Sequence, residues 1–595
     1  MKAGHVATVQ ALTRWPPFAA LRRIPAGAWV GFAGSCLVAL AQLMRLAQYP
    51  QIDTEELDPT ILRAFLSDRS IGTLTAFGVL LLIGAWIMIR PEFTRAKPRA
   101  FMVAGFWLIP LLPILGVLSD DYNIYAEFGW DQLQGMDPYN TGIAETGSPF
   151  PTNGVWNGMT AAYPPLALRL FAIIVMLAGS HWYWSVVGLR LLALLGVGLL
   201  AWGLVKVAPV VGVDWRFALW LGVFNPVVIV HGVGGMHVDM LMAGMTVAAL
   251  AVAVTKPGWR GLIWGSMLVG LAAGVKQHAL LAVVPVAMLA LPAVPVTMLA
   301  LPDRPQPGRR PPAEAVAAWW RIISRITLAG LIGLGTFLAL GLVTRLGHGW
   351  VKELDTPARY DTPGPATLIS HAIGSVYAAL DRPTPEGTTE LVRQIILGLV
   401  VFGLLVLFFR YARTNPIQFL AAGALLAAFG LSGTREWYLI LWLAVLPLAN
   451  PGRWMRGAAS LLAPFMALTA AFHSYQYWWV LESVHVAAGI AIALNAGGWI
   501  VPRRPFGQLP ATAEAESSVE LVVESPVALE IGSPVEPTDV PSRETETAPE
   551  VVSVSQTVLD PEPVLTSQTQ IVPEVEPTAA LFGRADSAED VNWRL

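Results

Sequence analysis

Charged residues are scarce in this chain. Asp, Glu, Lys and Arg make up only 13% of its 595 residues, whereas a soluble domain usually carries about 25%. Hydrophobic residues make up 55% and gather in uncharged runs such as Leu191–Leu204, Ala243–Val254 and Ile395–Phe409. Such runs approach the roughly 20 residues that a helix needs to cross about 30 Å of hydrocarbon. A large soluble enzyme is excluded, because a dozen such runs would lack a polar shell. The composition predicts an all-α polytopic membrane protein.

Cysteine is almost absent. Cys36 is the only one in the chain, so an intrachain disulfide is excluded and the sequence does not reveal the redox compartment. The N-terminus also lacks the features of a cleavable signal. Residues 1–26 are basic, and the apolar run that follows has no convincing cleavage site. We therefore predict a cytoplasmic N-terminal segment over residues 1–26, followed by a retained first span.

The composition changes abruptly after Arg504. Residues 505–595 are rich in Pro, Glu, Ser, Thr and Val, and they hold 17 Asp and Glu against 3 Arg, a formal charge of −14 in a chain of −3 overall. Such a segment buries too little apolar surface to fold alone. The sequence predicts a membrane domain over residues 27–504 and a disordered acidic cytoplasmic tail over residues 505–595, either passive or used in regulation or docking.

Lysine and arginine alternate along the membrane domain. Residues 90–99 hold four basic side chains, whereas no Lys or Arg occurs from Ala100 through Leu168. Basic loops tend to stay in the cytoplasm, which places residues 90–99 inside and the loop 119–182 outside. Continued along the chain, this rule predicts about 14 spans (range about 12 to 15), a second outer loop over residues 344–390, and both termini in the cytoplasm. The approximate span centres are residues 38, 80, 109, 195, 225, 246, 268, 290, 335, 401, 424, 444, 465 and 491.

One apolar segment, Pro164–Gly179, is almost long enough to be a span. Counting it as a crossing would place Lys206, Arg310 and Arg456 outside, against the rule that keeps basic loops inside. We therefore predict that this segment forms a helix that lies in the outer interface or re-enters it.

Two carboxylates, Asp120 and Asp121, stand directly after the third predicted span. Carboxylates at the edge of the hydrocarbon are costly unless they are used or paired. Asp121 and Tyr125 are four residues apart, so they share one face of a short helix. Such a carboxylate acts either as a general base toward a sugar hydroxyl or as a solvated helix cap. The spacing alone leaves both interpretations open.

Turn-forming residues follow in the same outer loop. Gly135–Tyr139 contains an Asp137-Pro step and predicts a turn. Tyr163 precedes two prolines that open the Pro164–Gly179 helix, where proline is tolerated. A structural turn explains both motifs. Tyr125, Tyr139 and Tyr163, like Trp437 and Tyr438 further along, either stack on sugar faces or anchor the protein in the interface.

His231, His237 and Asp239 invite a comparison with metal sites. Residues two apart do not share a helix face, so Asp239 and His237 would need an unusual turn to bind one ion. We therefore expect no metal ion here. Hydrogen bonding to a sugar or an acceptor, or the capping of a span end, explains these residues better.

The order of these motifs resembles a known family. The membrane domain is similar to the glycosyltransferases of the C-type (GT-C) fold. Within that class it looks closest to the actinobacterial polyprenyl-phosphomannose-dependent α-1,6-mannosyltransferases of the MptA/MptB type. The resemblance spans roughly residues 100–450. The motifs that carry it are Ser119-Asp-Asp121 with Tyr125, Gly135–Tyr139, Tyr163–Leu166, Asn225-Pro226, His231–Asp239, Lys276–Ala279, and Glu436–Tyr438 with Trp442.

The resemblance implies a function and its partners. It implies transfer of mannose from a polyprenyl-phosphate-mannose donor to a lipid-linked mannan acceptor, forming α-1,6 linkages of a lipomannan-type backbone in cell envelope biosynthesis. Asp120 or Asp121 would deprotonate the acceptor hydroxyl on the outer face of the plasma membrane, and polyprenyl phosphate would leave. Membrane lipids are the remaining partners, and neither a cofactor nor nucleic acid is implied.

A phosphate leaving group needs positive charge or hydrogen-bond donors nearby. Few cations are predicted on the outer side, which makes each a candidate for substrate binding. Each is also explained as a snorkelling or interfacial charge, and we expect at least one of them to contact phosphate. The candidates are Arg190, Lys276, His278 and Arg435, with Arg345 and Arg359 in the second outer loop.

A polytopic transporter or lipid-sugar flippase is the main alternative. A transporter would favour paired repeats and broken or charged helices near the bilayer midplane. The sequence shows no clear internal repeat, and its charges lie mainly at span ends. These features favour an enzyme. A purely structural membrane protein would leave the long outer loop without Lys or Arg unexplained.

Overall fold

The computed structural model describes residues 24–46, 68–90, 100–150, 156–290, 313–354, 364–430 and 435–469. Within these ranges the chain is helical and has no strand. The acidic tail, the last predicted span near residue 491 and residues 1–23 of the N-terminal segment lie outside the described residues.

The helices of the first half follow the apolar runs closely. They are α1 (Ala26–Leu46), α2 (Asp68–Met88), α3 (Ala100–Leu108, extended by a 3-10 turn, Ile109–Leu111), α4 (Asp121–Leu133), α5 (Pro165–Leu177), α6 (Trp182–Val210), α7 (Trp215–Gly222), a π-helix (Val228–Gly234), α8 (Asp239–Thr255) and α9 (Trp259–Ala273).

The second half continues the same pattern with several 3-10 extensions. Its elements are a 3-10 helix (Gln277–Ala282) leading into α10 (Val283–Leu289), α11 (Ala313–Val343), a 3-10 helix (Gly349–Glu353), α12 (Pro365–Ala379), α13 (Thr388–Tyr411), α14 (Pro416–Gly430), a 3-10 helix (Glu436–Leu439), α15 (Ile440–Val445), a 3-10 helix (Leu446–Ala449) and α16 (Arg453–Thr469).

Among the described residues, five helices are long and apolar enough to cross a membrane, and a sixth crossing is present if the bent pair Val228–Gly234 and α8 counts as one span. Shorter apolar helices account for most of the other predicted span centres. The protein is therefore a polytopic membrane protein, as predicted. The count of about 14 spans stays a prediction.

The helices α11 and α13 carry large apolar side chains that the protein does not cover. On α11, Leu342 is 80% exposed, and on α13, Phe409 is 71% exposed. Water would penalise this surface, whereas hydrocarbon would not. These two helices therefore present a lipid-compatible flank of the bundle.

Glycines allow two pairs of helices to approach closely. The crossing of α1 and α2 lies at Gly34 and Gly78, where a Cβ on Gly34 would stand 2.7 Å from the Gly78 carbonyl oxygen. At the crossing of α6 and α8, a Cβ on Gly244 would overlap the backbone of Gly196. Small residues at such crossings let helix backbones pack directly, as is common in membrane bundles.

The helix α5 begins and ends at the same end of the bundle. It has 13 residues, about 20 Å of helix against about 30 Å of hydrocarbon. Near its start, the Ala167 N–H donates to the Gly274 carbonyl at 3.1 Å. Just beyond its end, the Tyr183 hydroxyl donates to the Pro113 carbonyl, close to the start of α4. These contacts favour the predicted interfacial or re-entrant helix.

The opposite end of the bundle gathers basic residues that the charge rule assigned to the cytoplasm. The Arg90 guanidinium lies 5.4 Å from the ring centroid of Trp220, and that of Arg456 lies 5.7 Å from Phe217. The indoles of Trp86 and Trp220 stack at 4.4 Å. Loops predicted to share one side therefore meet in the structure.

Candidate active site

The two neighbouring carboxylates at the start of α4 face different partners. The chain turns sharply before α4, where Leu118 takes a φ of 58°. Nη2 of Arg45, in the last turn of α1, lies 2.8 and 3.0 Å from the two carboxylate oxygens of Asp120. The Tyr122 hydroxyl donates to the same carboxylate at 3.3 Å. Asp120 is thus held in a charge-assisted pair.

Asp121 faces the interior of the site. Its Oδ2 lies 3.4 Å from Nδ1 of His237 and 3.4 Å from the Tyr125 hydroxyl. Burial acts to raise the pKa of Asp121, but contact with His237 and Ser119 and the charges of His237 and Arg435 together hold that pKa below its usual value. Asp121 is therefore an ionised carboxylate at neutral pH, beside hydroxyl and imidazole groups.

A sharp corner in the chain brings His237 to Asp121. The π-helix Val228–Gly234 and α8 meet at 109°. Gly235 is required at this corner, because a Cβ there would lie 2.8 Å from both the His231 carbonyl oxygen and Cδ2 of His237. His237 is fully buried, and its ring stacks on Trp437 with centroids 3.7 Å apart and planes at 12°. π-Helical segments of this kind are frequent at functional sites.

A lysine is held next to the corner by an ion pair with Asp239. Asp239 begins α8 and is 1% exposed. Nζ of Lys276 lies 2.7 and 2.8 Å from the two carboxylate oxygens of Asp239, and 4.1 Å from the ring centroid of Tyr438. The Arg435 guanidinium lies 5.8 Å from the ring of Trp437. Two cations and two aromatic rings thus stand close to Asp121 and His237.

Tyrosines line the α4 side of the site. Tyr125 stacks on Phe171 of α5 at 4.7 Å and accepts a hydrogen bond from the Tyr163 hydroxyl at 3.4 Å. Burial is the main cause that raises the pKa of both phenols, so both stay protonated. Tyr139 packs behind Tyr163, and its hydroxyl donates to the Tyr163 carbonyl at 2.9 Å. Asp137 closes the predicted turn by accepting from the Tyr139 N–H at 3.0 Å.

Arg190 is fully buried, and its contacts are with backbone. All five of its N–H groups donate to backbone carbonyls at 2.7 to 3.2 Å. Nη1 donates to the carbonyls of Leu112 and Ile114, Nη2 to those of Leu115 and Gly234, and Nε to that of Val233. An arginine has five such donors. These bonds favour a structural role, tying the end of α3 to the π-helix, over the predicted substrate contact.

The structure thus brings together most of the residues predicted for the site. Each of the following residues lies next to at least one other of the set: Asp121, Tyr125, Tyr163, His237, Asp239, Lys276, Arg435, Trp437 and Tyr438. His231 stands at the edge, 6.1 Å from Trp437 between ring centroids, and His278 follows Lys276 by two residues. Arg359 lies outside the described residues.

Sequence reasoning missed Arg45. The signal was present, because an arginine ends the first apolar run on the side where Asp120 follows the third. A single basic residue at a span end is usually an interfacial charge, so the position of Arg45 alone does not indicate a functional site. The structure also offers no group of three His, Cys, Asp or Glu side chains suited to a metal ion, within the residues it describes.

A family model described as "Alpha-(1->6)-mannopyranosyltransferase, N-terminal domain" matches residues 28–292, from α1 through Lys276 to the end of α10. Over this part of its length the chain is similar to the MptA/MptB family. The match supports the family that the sequence motifs indicated.

Named relatives of the MptA/MptB family cover most of the membrane domain. The chain is 26% identical over 439 residues to "Alpha-(1->6)-mannopyranosyltransferase A" of Corynebacterium glutamicum, covering 70% of this chain and 86% of the relative. It is 28% identical over 435 residues to the protein of the same name from Mycobacterium tuberculosis, covering 70% and 79%. A "Probable alpha-(1->6)-mannopyranosyltransferase" of Mycolicibacterium smegmatis is 29% identical over 437 residues, covering 65% and 72%.

Proposed function

We propose that this membrane glycosyltransferase moves mannose from polyprenyl-phosphate-mannose to a lipid-linked mannan acceptor and forms α-1,6 linkages. The names of the relatives support an α-1,6-mannosyltransferase. The observation that carries the proposal is the position of Asp121, an ionised carboxylate at a helix start that contacts His237 and feels the charge of Arg435.

Asp121 suits the role of general base better than Asp120. A base needs a free lone pair within reach of the proton that it removes. Both oxygens of Asp120 are held by Arg45 in a charge-assisted pair, so they are not available to an acceptor hydroxyl. The contacts of Asp121 with Tyr125 and His237 are long, at 3.4 Å, so an acceptor hydroxyl can replace one of them.

The proposed reaction forms an α-1,6 linkage in one displacement at the anomeric carbon. The oxygen of the acceptor 6-hydroxyl attacks the anomeric carbon of mannose, and its proton passes to the Asp121 carboxylate. The bond between that carbon and the phosphate oxygen breaks, and the electron pair leaves with polyprenyl phosphate. Lys276 and Arg435 are the cations placed to stabilise the departing charge.

Lys276 is positioned for this task by its partners. The Asp239 carboxylate and the Tyr438 ring fix the ammonium from two sides. A preorganised cation costs no reorganisation when charge develops in the transition state. We therefore assign Lys276 to the donor phosphate, and Tyr125, Tyr163 and Trp437 to sugar contacts.

The finer architecture is part of the same proposal. We infer a GT-C fold with about 14 spans, a site on the outer face of the plasma membrane, and N- and C-termini in the cytoplasm. The exposed apolar flank on α11 and α13 supports a lipid setting. Residues from α1, α4, α8 and the 3-10 helices before α10 and α15 meet at the site, as the charge alternation expects of span ends on one side.

A transfer assay tests the proposal. Purified protein in proteoliposomes receives radiolabelled polyprenyl-phosphate-mannose and a lipid-linked α-1,6-oligomannoside acceptor. We expect Asp121→Asn to lower the transfer rate by about 100-fold or more, while Asp120→Asn lowers it less. The matched control is Asp214→Asn, at the start of α7, which keeps wild-type activity. Full activity of Asp121→Asn would sink the assignment, and donor movement across the bilayer without transfer would support a flippase.

A further inference from the structure

The buried face of α4 carries a column of polar side chains that the proposed reaction does not use. Asn123, Glu127 and Asp131 are spaced four residues apart, which stacks them on one helix face. Asn123 is 1% exposed, and both carboxylates are 0% exposed. Asp121 and Tyr125 lie on a different face, because they are offset by two residues from this column.

Most oxygens of the column lack a hydrogen bond of normal geometry. The Ala144 N–H donates to Oε1 of Glu127 at 2.7 Å. Oε2 of Glu127, both carboxylate oxygens of Asp131 and Oδ1 of Asn123 are buried without a hydrogen bond of normal geometry in the described part of the chain. Buried polar atoms are rarely left in this state, and ligation of an ion is one of the usual reasons.

Hydroxyl groups of the neighbouring loop face the same carboxylates. Thr146 stands beside Asp131 and Ser148 beside Glu127, where each acts to lower the carboxyl pKa. The Thr146 hydroxyl oxygen is itself buried and lacks a hydrogen bond of normal geometry within the described residues. The loop thus adds neutral oxygen atoms to the two carboxylates and the amide.

Positive charge is missing from this arrangement. Ion pairs hold Asp120, Asp121 and Asp239, whereas within the described ranges Glu127 and Asp131 belong to none. Burial is the main cause that raises the pKa of Glu127 to about 7 and that of Asp131 to about 6. Both carboxyls therefore ionise near neutral pH only against a penalty that a bound cation would remove.

We propose that this column and its loop hold one hard divalent cation of the Ca²⁺ type. Such ions take six to eight oxygen ligands from carboxylates, amides, hydroxyls, carbonyls and water, with flexible geometry. The absence of histidine and cysteine from the group argues against zinc or copper. The two carboxylates would neutralise the charge, and the remaining positions would be filled by neutral oxygens and water. The ligands are Asn123, Glu127, Asp131, Thr146 and Ser148.

The cation would fasten the outer loop to α4. The loop runs from the Asp137 turn through Thr146 to Tyr163, and Tyr163 reaches Tyr125 at the active site. Further bonds already tie the loop to itself, such as the Ile143 N–H to the Met159 carbonyl at 3.0 Å. The site is thus structural, and its occupancy sets how firmly Tyr163 is held.

Calcium dependence of the melting temperature tests the proposal. Full-length protein in detergent is stripped with EGTA and then titrated with CaCl₂ or MgCl₂. We expect a saturable rise of a few degrees with Ca²⁺ and a smaller rise with Mg²⁺. The double variant Glu127→Gln/Asp131→Asn loses the rise. The control Glu145→Gln, an exposed carboxylate of the same loop, keeps it.

Two results would overturn the proposal. A wild-type melting temperature that is the same in EGTA and in 5 mM Ca²⁺ shows that no cation binds. If the carboxyls are simply protonated, acidification from pH 8 to pH 6 stabilises the wild type without Ca²⁺, and the double variant is as stable as the wild type in EGTA. Should the double variant fail to fold, metal analysis of the wild type decides: we expect about one tightly held Ca²⁺ per chain, and its absence rejects the site.

Discussion

Arg45 and Asp120 form an ion pair at 2.8 Å across 75 residues of chain, and this pair separates the roles of two adjacent aspartates. It leaves Asp121 as the carboxylate that faces His237. The pair also ties the end of α1 to the start of α4, so in the proposed mechanism Arg45 and Asp120 position the base without contacting the reacting atoms.

The ion pair predicts a graded effect of substitution. We expect Arg45→Ala to lower stability by about 1 kcal/mol, because the pair is partly exposed, and to slow mannose transfer less than Asp121→Asn does. Arg45→Lys keeps the charge and recovers part of the rate. A double-mutant cycle with Asp120→Ala measures the coupling. Additive effects of the two single substitutions would show that the pair contributes nothing.

The contact between Asp121 and His237 predicts a change in pH dependence. The proposed base must be ionised for transfer, so activity falls as pH drops through the pKa of Asp121, which lies below its usual value. His237→Ala removes a stabilising partner and leaves burial dominant, so we expect the acidic limb of the pH–rate profile to move to higher pH.

The profile is measured as kcat/KM on both proteins from about pH 3, to reach the wild-type acidic limb, up to about pH 8. Stability follows the same sign: a lowered carboxyl pKa stabilises the fold above the unfolded pKa and loses that contribution as pH falls through the folded pKa. An acidic limb that stays in place in His237→Ala contradicts the proposed coupling.

The buried pair of Lys276 and Asp239 predicts that charge and function can be separated. Lys276→Met leaves a buried carboxylate without compensation, which costs about 3–5 kcal/mol. We expect the double variant Lys276→Met/Asp239→Leu to regain most of the melting temperature but to remain inactive, because the phosphate has lost its cation. An active double variant would remove Lys276 from the mechanism.

The crossing of α6 and α8 predicts opposite effects for two nearby glycines. A Cβ on Gly196 would lie against the backbone of Met240 and Leu241, whereas one on Gly198 meets nothing within 4 Å. We expect Gly196→Ala to destabilise the protein by about 1–3 kcal/mol. Gly198→Ala is neutral or stabilises it by about 0.5–1 kcal/mol, because alanine favours the helix. Melting temperatures of the two variants in one detergent test this, and equal values would contradict the close crossing.

The sequence was sufficient for the positions of the helices but not for their bends. Apolar runs of span length predict helices wherever they occur, and the described helices follow them. The corner at Gly235 was not predicted, because a run of apolar residues with glycines has the same pattern whether the helix continues or turns by 109°. The grouping of His237 with Asp121 depends on that corner.

The candidate site was predicted as a set of residues rather than as an arrangement. Residue type and span-end position identified Asp121, Lys276 and Trp437, since charges and aromatics at those depths are unusual. The role of Arg190 was not predictable, because its five acceptors are backbone carbonyls that only the fold brings together. Glu127 and Asp131 were overlooked because a long polar loop suggests solvent, not burial.

The corner between the π-helix and α8 positions several residues of the proposed mechanism. It fixes His237 against Trp437 and, two residues later, Asp239 against Lys276. A joint built on one crowded glycine and one turn of π-helix has fewer backbone bonds to lose than the long helices around it. We therefore expect heating to abolish activity while the helix bundle is still folded, so the temperature of inactivation lies below that of global unfolding.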